Sequence, residues 1–491
     1  MKNRLILIIT LLFSIIGTCK LQAAPGNDEC YNCHENLDGK VQAPAAAFKT
    51  DVHHLAGISC SGCHGGDSKN GDMESAMDKK KGFLGIPQVK TRYMVCVKCH
   101  SDKKTMQSFG FKGGTEQFEK LKESVHFKPS YNNQGPIADC ITCHGAHGIA
   151  KVKDPKSKVS PLNVVALCGG CHSNATFMKQ YNPGIPVDQV IKYRTSVHGE
   201  KNAKGDANTA QCVSCHSNHG IYSVKDPRST VYNKNIAKTC SGCHSNSVLM
   251  AKYNIPSDQY EKYKTSVHGK ALLEKGDAGA PSCNGCHGNH GATPPGVETI
   301  SKVCGTCHAF NMELFEKSVH KNAFASRSLP ECETCHGNHG IQPVTDEFLG
   351  TGEKSACIKC HHSGDKGFIV AAEMKQLMDT LGMQRKSANE YLDKAEQLGM
   401  DVSDEKYSFQ KLKQILIKTK TSVHSSELDK FKNELNPGIE IVNDAEISGR
   451  KAIENYYFRR KGLAVASILV TFLVVLLYIK LKRIERKDNA K

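Results

Sequence analysis

Twenty-two of the 23 cysteines stand in eleven C-x-x-C-H blocks, and no other feature constrains the chain as strongly. The blocks are Cys30/Cys33/His34, Cys60/Cys63/His64, Cys96/Cys99/His100, Cys140/Cys143/His144, Cys168/Cys171/His172 and Cys212/Cys215/His216, then Cys240/Cys243/His244, Cys283/Cys286/His287, Cys304/Cys307/His308, Cys332/Cys335/His336 and Cys357/Cys360/His361. Only Cys19, in the apolar N-terminal stretch, lies outside them. C-x-x-C-H is the attachment signature of haem c. Two thiols add to the vinyl groups of one haem, and the adjacent imidazole reaches the iron as proximal ligand. Paired C-x-x-C motifs also hold zinc or close disulfides, but neither needs a histidine after every second cysteine. The sequence therefore predicts eleven covalent haems c.

A 491-residue chain would ordinarily make several domains. Here hydrophobic content is 39%, Trp is absent, and the core is expected to be porphyrin wrapped in loops. The expected fold is mainly α with extensive loops, a stacked-haem domain of low helix content over Cys30–His361, and almost no sheet. The formal charge of +16 overstates the basicity. Ionised haem propionates offset most of it, so the lysines read as propionate partners and docking surface, and nucleic-acid binding is not expected.

Twelve histidines remain after the proximal ones: His53, His54, His126, His147, His198, His219, His268, His290, His320, His339, His362 and His424. A six-coordinate haem needs a second axial ligand, commonly His. The supply covers eleven haems with one to spare. Most of these histidines recur in an internal repeat of five two-block modules. Module A runs from His53/His54 to His100, B from His126 to His172, C from His198 to His244, D from His268 to His308, and E from His320 to His361. One histidine class follows Ser-Val, at His126, His198, His268, His320 and His424. The segment before His268 is expected to be a helix started at Pro256-Ser257, with Tyr260, Tyr263 and Val267 on one face and Gly269 ending it. A second class sits three residues past a proximal His, at His147, His219, His290 and His339. So close to their own proximal ligand, these are expected to ligate a neighbouring haem. His362, directly after His361, stands in a similar position, and in module A either His53 or His54 could serve.

These motifs resemble those of bacterial multihaem cytochromes c built from doubled C-x-x-C-H modules, over roughly Cys30–His362. The Cys360-His361-His362 triplet is similar to one in small tetrahaem cytochromes c, where the second His ligates another haem. The resemblance implies close parallel and perpendicular haem pairs forming an electron wire. A helix-rich tail after the last haem is similar to the layout of pentahaem nitrite reductase and octahaem hydroxylamine oxidoreductase.

The flanks complete the organisation. Residues 1–23 read as a signal peptide, with Lys2 and Arg4 before the apolar run Leu5–Ile16. Residues 24–365 form the haem domain and 366–460 a helical domain, with helices expected at Ala371–Leu381, Gln384–Leu398 and Phe409–Lys418 and breaks at Gly399 and Pro437-Gly438. Residues 461–480 hold a transmembrane helix around the apolar run Leu463–Ile479. Residues 481–491 form a tail, and the basic excess of Lys480, Lys482, Arg483, Arg486 and Lys487 places it in the cytoplasm.

The expected function is electron transfer by a periplasmic cytochrome anchored in the bacterial inner membrane. It would run from the quinol pool, or a cytochrome b-type quinol-oxidising subunit, to periplasmic cytochromes or reductases, and it is compatible with an oligomer. The competing reading is an oxidoreductase of small nitrogen or sulfur compounds. No C-x-x-C-K block supports that reading, and the Cys30 block and module A are where an open iron would lie. A pure electron store is the third.

Overall fold

The computed structural model describes residues 28–296 and 299–489, so the signal-peptide reading of residues 1–23 lies outside the described residues. Among the described residues the structure is helical, and the one ladder contact is an isolated bridge between Pro129 and Pro136. They group into two compact units. One holds the chain up to Glu261 together with His268–Pro294, and the other holds Lys262–Val267 together with Pro295 onward.

In the first unit, short helices alternate with loops. Most C-x-x-C-H blocks close as single helical turns, such as Cys60–His64, Cys140–His144 and Cys212–His216. Asp139 caps one of them in a capping box with Thr142, a reciprocal bond that holds the turn where few residues could nucleate it alone. The low helix content expected for the haem region is therefore corrected: it is threaded with short helices, because each attachment motif and many of its connectors form a turn. The apolar core is correspondingly sparse there, with isolated buried residues such as Val164, Met178, Ala237 and Met250. The helix expected before His268 is shorter than its sequence implied. It spans Gln259–Thr265, and His268 sits in the separate turn Val267–Gly269, which runs on into a π-helical turn. Gly269 therefore does not end the helix.

The second unit ends in three long helices, α1 (Lys366–Gln397), α2 (Ser403–Ser422) and α3 (Leu428–Asp488). Their apolar stripes meet in a core of Met374, Leu381, Leu392, Leu412, Phe431, Leu435 and Val442, each at most 2% exposed. The connection at Gly399 is confirmed, with φ +78 just past α1. The break expected at Pro437-Gly438 is not present. Proline removes a helical hydrogen bond and strains its own turn, yet α3 runs through it with Leu435 and Val442 buried on either side. Gly438 packs tightly there: a Cβ on it would lie 3.1 Å from Leu412 and 3.3 Å from Ile415. Likewise α1 absorbs two expected helices into one. Beyond the bundle, α3 carries the apolar run, and its side chains from Leu463 to Ile479 are exposed, as a lipid-facing segment requires.

Candidate haem-binding sites

Among the described residues, the proximal histidines His64, His100, His144, His172, His216, His244, His336 and His361 each face a second histidine ring. The separations are 5.9 Å for His64–His147, 6.2 Å for His144–His219, 6.1 Å for His216–His290 and 6.1 Å for His336–His424. They are 5.9 Å for His53–His100, 6.1 Å for His126–His172, 6.1 Å for His198–His244 and 6.0 Å for His320–His361. Two imidazoles bound to one metal at about 2.0–2.1 Å per bond place their centroids roughly 6.3 Å apart. The gaps therefore fit one iron each.

The hydrogen bonds fix which ring nitrogen would face that iron. His64 Nδ1 donates to the Gly85 carbonyl at 2.8 Å, His53 Nδ1 to Asp51 Oδ1 at 2.8 Å, His424 Nδ1 to the Thr421 carbonyl at 2.9 Å, and His361 Nδ1 to Asp365 Oδ1 at 3.1 Å. A carbonyl or carboxylate only accepts, so these rings carry the proton on Nδ1 and leave the Nε2 lone pair free. Burial also disfavours the charged imidazolium, pulling His126 down to about 4 and lowering His100, His147, His172 and His198 among others.

The pairing follows a rule that sequence spacing alone did not settle. In modules A, B, C and E, the histidine that opens the module faces the second proximal His of that same module. The His that follows the first block of modules B, C and D faces the first proximal His of the preceding module. A repeated backbone clip makes this possible. Val52 N–H bonds the Ile149 carbonyl at 2.8 Å, Val125 the Ile221 carbonyl at 2.9 Å, Val197 the Ala292 carbonyl at 3.2 Å and Val267 the Ile341 carbonyl at 2.8 Å. Each clip lays the loop of one module against the opening segment of the one before.

Module A carries a variant of the Ser-Val-His triplet. Asp51-Val52-His53 occupies the same place, with Asp51 in the serine position, and that parallel was the available signal. Asp51 is 1% exposed and accepts from His53 N, His53 Nδ1 and Ile149 N. His53 thus faces His100, whereas His54 stacks against Tyr31 and meets the edge of Phe48. At the other end no module follows E. There His424 of the helical region faces His336, and the Ser426 hydroxyl lies 2.7 Å from His320 Nδ1.

The remaining histidines fall as follows. His268 and His287 lie in the first unit, and His308 and His339 in the second. His362 is exposed and its backbone N–H bonds Asp365 at 2.7 Å. His34 closes the first described helix, Glu29–His34, and no ring contact pairs it with a histidine among the described residues.

The thiols link neighbouring blocks. Cys96 lies beside Cys140, Cys168 beside Cys212, Cys240 beside Cys283 and Cys304 beside Cys332. Inside modules, Cys63 lies near Cys99, Cys143 near Cys171, Cys215 near Cys243 and Cys335 near Cys357, and Cys30 lies near Cys60. These sulfurs stand where thioether bonds to haem edges would form.

Cys33, Cys286 and Cys307 stand at the surface. All three are exposed, as are Cys215, Cys243 and Cys360, and each of the six is the second cysteine of its block. The first cysteines of those same blocks, Cys30, Cys283 and Cys304 among them, are half-buried. In these six blocks the polypeptide leaves the second sulfur open. A haem edge bonded to that second sulfur would supply the cover.

Two known families match parts of this pattern. The doubled CXXCH motif family matches residues 205–248, and the Cytochrome c554 and c-prime family matches residues 17–65 and 303–384. The chain is a multihaem c-type cytochrome. This cytochrome binds haem c covalently through its C-x-x-C-H cysteines. No curated protein and no solved structure matches it.

An ion pair reinforces one junction of the cytochrome. Arg92, just before the Cys96 block, grips Asp139 through Nε at 2.6 Å and Nη2 at 3.2 Å, beside the Cys140 block. Burial would raise the Asp139 carboxyl, but the Arg92 guanidinium and the Thr142 donors outweigh it and hold the carboxyl below its usual range.

Proposed function

We propose that the eleven blocks hold eleven haems c in an order that follows the sequence, and that the array is a conduit. The sulfur contacts carry this reading. Within the first unit they connect Cys30, Cys60, Cys96, Cys140, Cys168, Cys212, Cys240 and Cys283 in turn, and within the second Cys304, Cys332 and Cys357. Haem supplies one-electron iron chemistry when bound. The protein's part is to fix both axial imidazoles, keep them neutral, and hold successive haem edges together. Two strong imidazole donors, one of them backed by a buried carboxylate, favour low potentials suited to a quinol-level donor.

In this reading residues 1–23 export the chain, residues 24–365 bind haem in the periplasm, residues 366–460 form the helical domain and residues 461–480 cross the inner membrane. The tail at 481–491 is cytoplasmic, given its basic residues. The span carries no histidine to hold a haem b, so a separate quinol-oxidising subunit delivers the electrons, and periplasmic cytochromes or reductases receive them. Membranes holding the full chain and its neighbours reduce the haems on addition of a quinol, whereas the purified chain alone in liposomes does not. Equal rates in both would remove the partner, and no reduction in either would remove the quinol pool as source.

One observation favours a second reading, an oxidoreductase of small nitrogen or sulfur compounds: His34 meets no histidine ring among the described residues. That reading requires a high-spin haem that binds nitrite or hydroxylamine.

A further inference from the structure

The three long helices have a head and a foot. Lys432 pairs with Glu373 at 2.6 Å, Gly438 packs on Leu381, and Arg450 lies 4.6 Å over the Tyr391 ring, so α3 runs parallel to α1. Lys406 pairs with Asp393 at 2.8 Å and Lys418 with Glu434 at 2.7 Å, so α2 runs against both. The start of α1, the end of α2 and the start of α3 therefore share one end. The histidine pairs of the second unit gather at that end. His361 bonds Asp365, the N-cap of α1. His424 follows α2 directly and faces His336, while Ser426, just before α3, holds His320. The apolar run lies past the opposite end, where Ala452 and Ile453 close the bundle core.

The distance follows from helix geometry. α3 is continuous from Leu428 through Leu463, where the apolar run begins. Thirty-five residues at about 1.5 Å each span on the order of 50 Å. A tilt of about 40°, the upper end for membrane helices, still leaves about 40 Å. Only about 15 Å of that is free helix between Ile453 and Leu463, and the rest is braced by α1 and α2.

We infer that the bundle is a stalk, which holds the Cys332 and Cys357 haem sites about 40–50 Å beyond the hydrocarbon edge. Electron tunnelling falls exponentially with distance, so a quinol in the bilayer does not exchange electrons directly with these two sites. Their outside partner is a protein-borne redox centre that meets the head of the stalk. The inference rests on the membrane-anchored reading above.

The test is cryo-electron microscopy of the haem-loaded full chain in lipid nanodiscs, where iron positions and the bilayer are read in one map. The expected result is two irons, ligated by His336/His424 and His320/His361, at 40–50 Å from the hydrocarbon edge. A chain that inserts but carries these irons at the headgroup layer overturns the stalk and leaves the anchor standing. A chain that does not enter the disc through Leu463–Ile479 overturns both.

Discussion

The imidazoles of His64 and His147 face each other 4° from parallel, although they come from different modules. The other cross-module pairs share that geometry, at 12° for His144–His219 and 8° for His216–His290, and the end pair His336–His424 lies at 20°. The pairs built within one module are crossed instead, at 86° for His53–His100, 77° for His126–His172, 70° for His198–His244 and 59° for His320–His361. Parallel imidazole planes split the iron dxz and dyz orbitals, whereas crossed planes leave them nearly degenerate. The paired sites therefore fall into two kinds, and these alternate from His64 through His244.

Removing a cross-module ligand acts on the neighbour's site. His147→Ala is expected to turn one haem high-spin and to remove one signal from the parallel, rhombic class. His198→Ala should remove one from the crossed, large-gmax class instead. Quantitative electron paramagnetic resonance separates the two, and identical losses in both variants would contradict the pairing rule.

Asp51 places a buried carboxylate on the Nδ1 of His53, which strengthens that imidazole as a donor and favours the oxidised iron. Asp51→Asn keeps an acceptor but loses the charge. One haem should shift to a more positive potential in a spectroelectrochemical titration, by roughly 59 mV for each tenfold change in its redox equilibrium. An unchanged titration curve would show that Asp51 is structural only.

Arg92→Ala leaves the Asp139 carboxylate, 2% exposed, without its partner. The expected loss is about 3 kcal/mol of stability at neutral pH. Because the fold holds this carboxyl below its ordinary value, the pair contributes fully above the unfolded value of about 3.9. The contribution is lost as pH falls through the lower folded value. Denaturant melts of wild type and variant should therefore converge in strong acid and differ most at pH 6–8.

Leu392, fully buried between α1 and α3, anchors the foot of the stalk. Leu392→Ala should destabilise the bundle by about 2–5 kcal/mol. Helical melting by circular dichroism would move to lower temperature while the haem absorbance below that transition stays unchanged.

Much of this was readable from residue order. Eleven attachment blocks, the Ser-Val-His and His-Gly histidines, the Ser-Val-His triplet at His424 outside the modules and the apolar run at Leu463–Ile479 all stand out as patterns. What could not be read depended on contacts distant in sequence. That His53 rather than His54 faces His100 goes with Asp51 reaching Ile149 almost a hundred residues away. The outward placement of Cys33, Cys286 and Cys307 has no mark in the sequence either, because the spacing is the same in every block. The continuity of α3 through Pro437 follows from packing against Leu412 and Leu381, which overrides the local cost of proline. The facing of histidines from adjacent modules goes with the Val-to-carbonyl clips, which leave no mark in spacing.

The most direct test is low-temperature electron paramagnetic resonance with magnetic circular dichroism on the ferric protein, quantified against total haem. A bis-histidine conduit predicts low-spin iron throughout the paired sites, with both rhombic and large-gmax signals present. High-spin iron at several sites, or a single ligand-plane class, would contradict it.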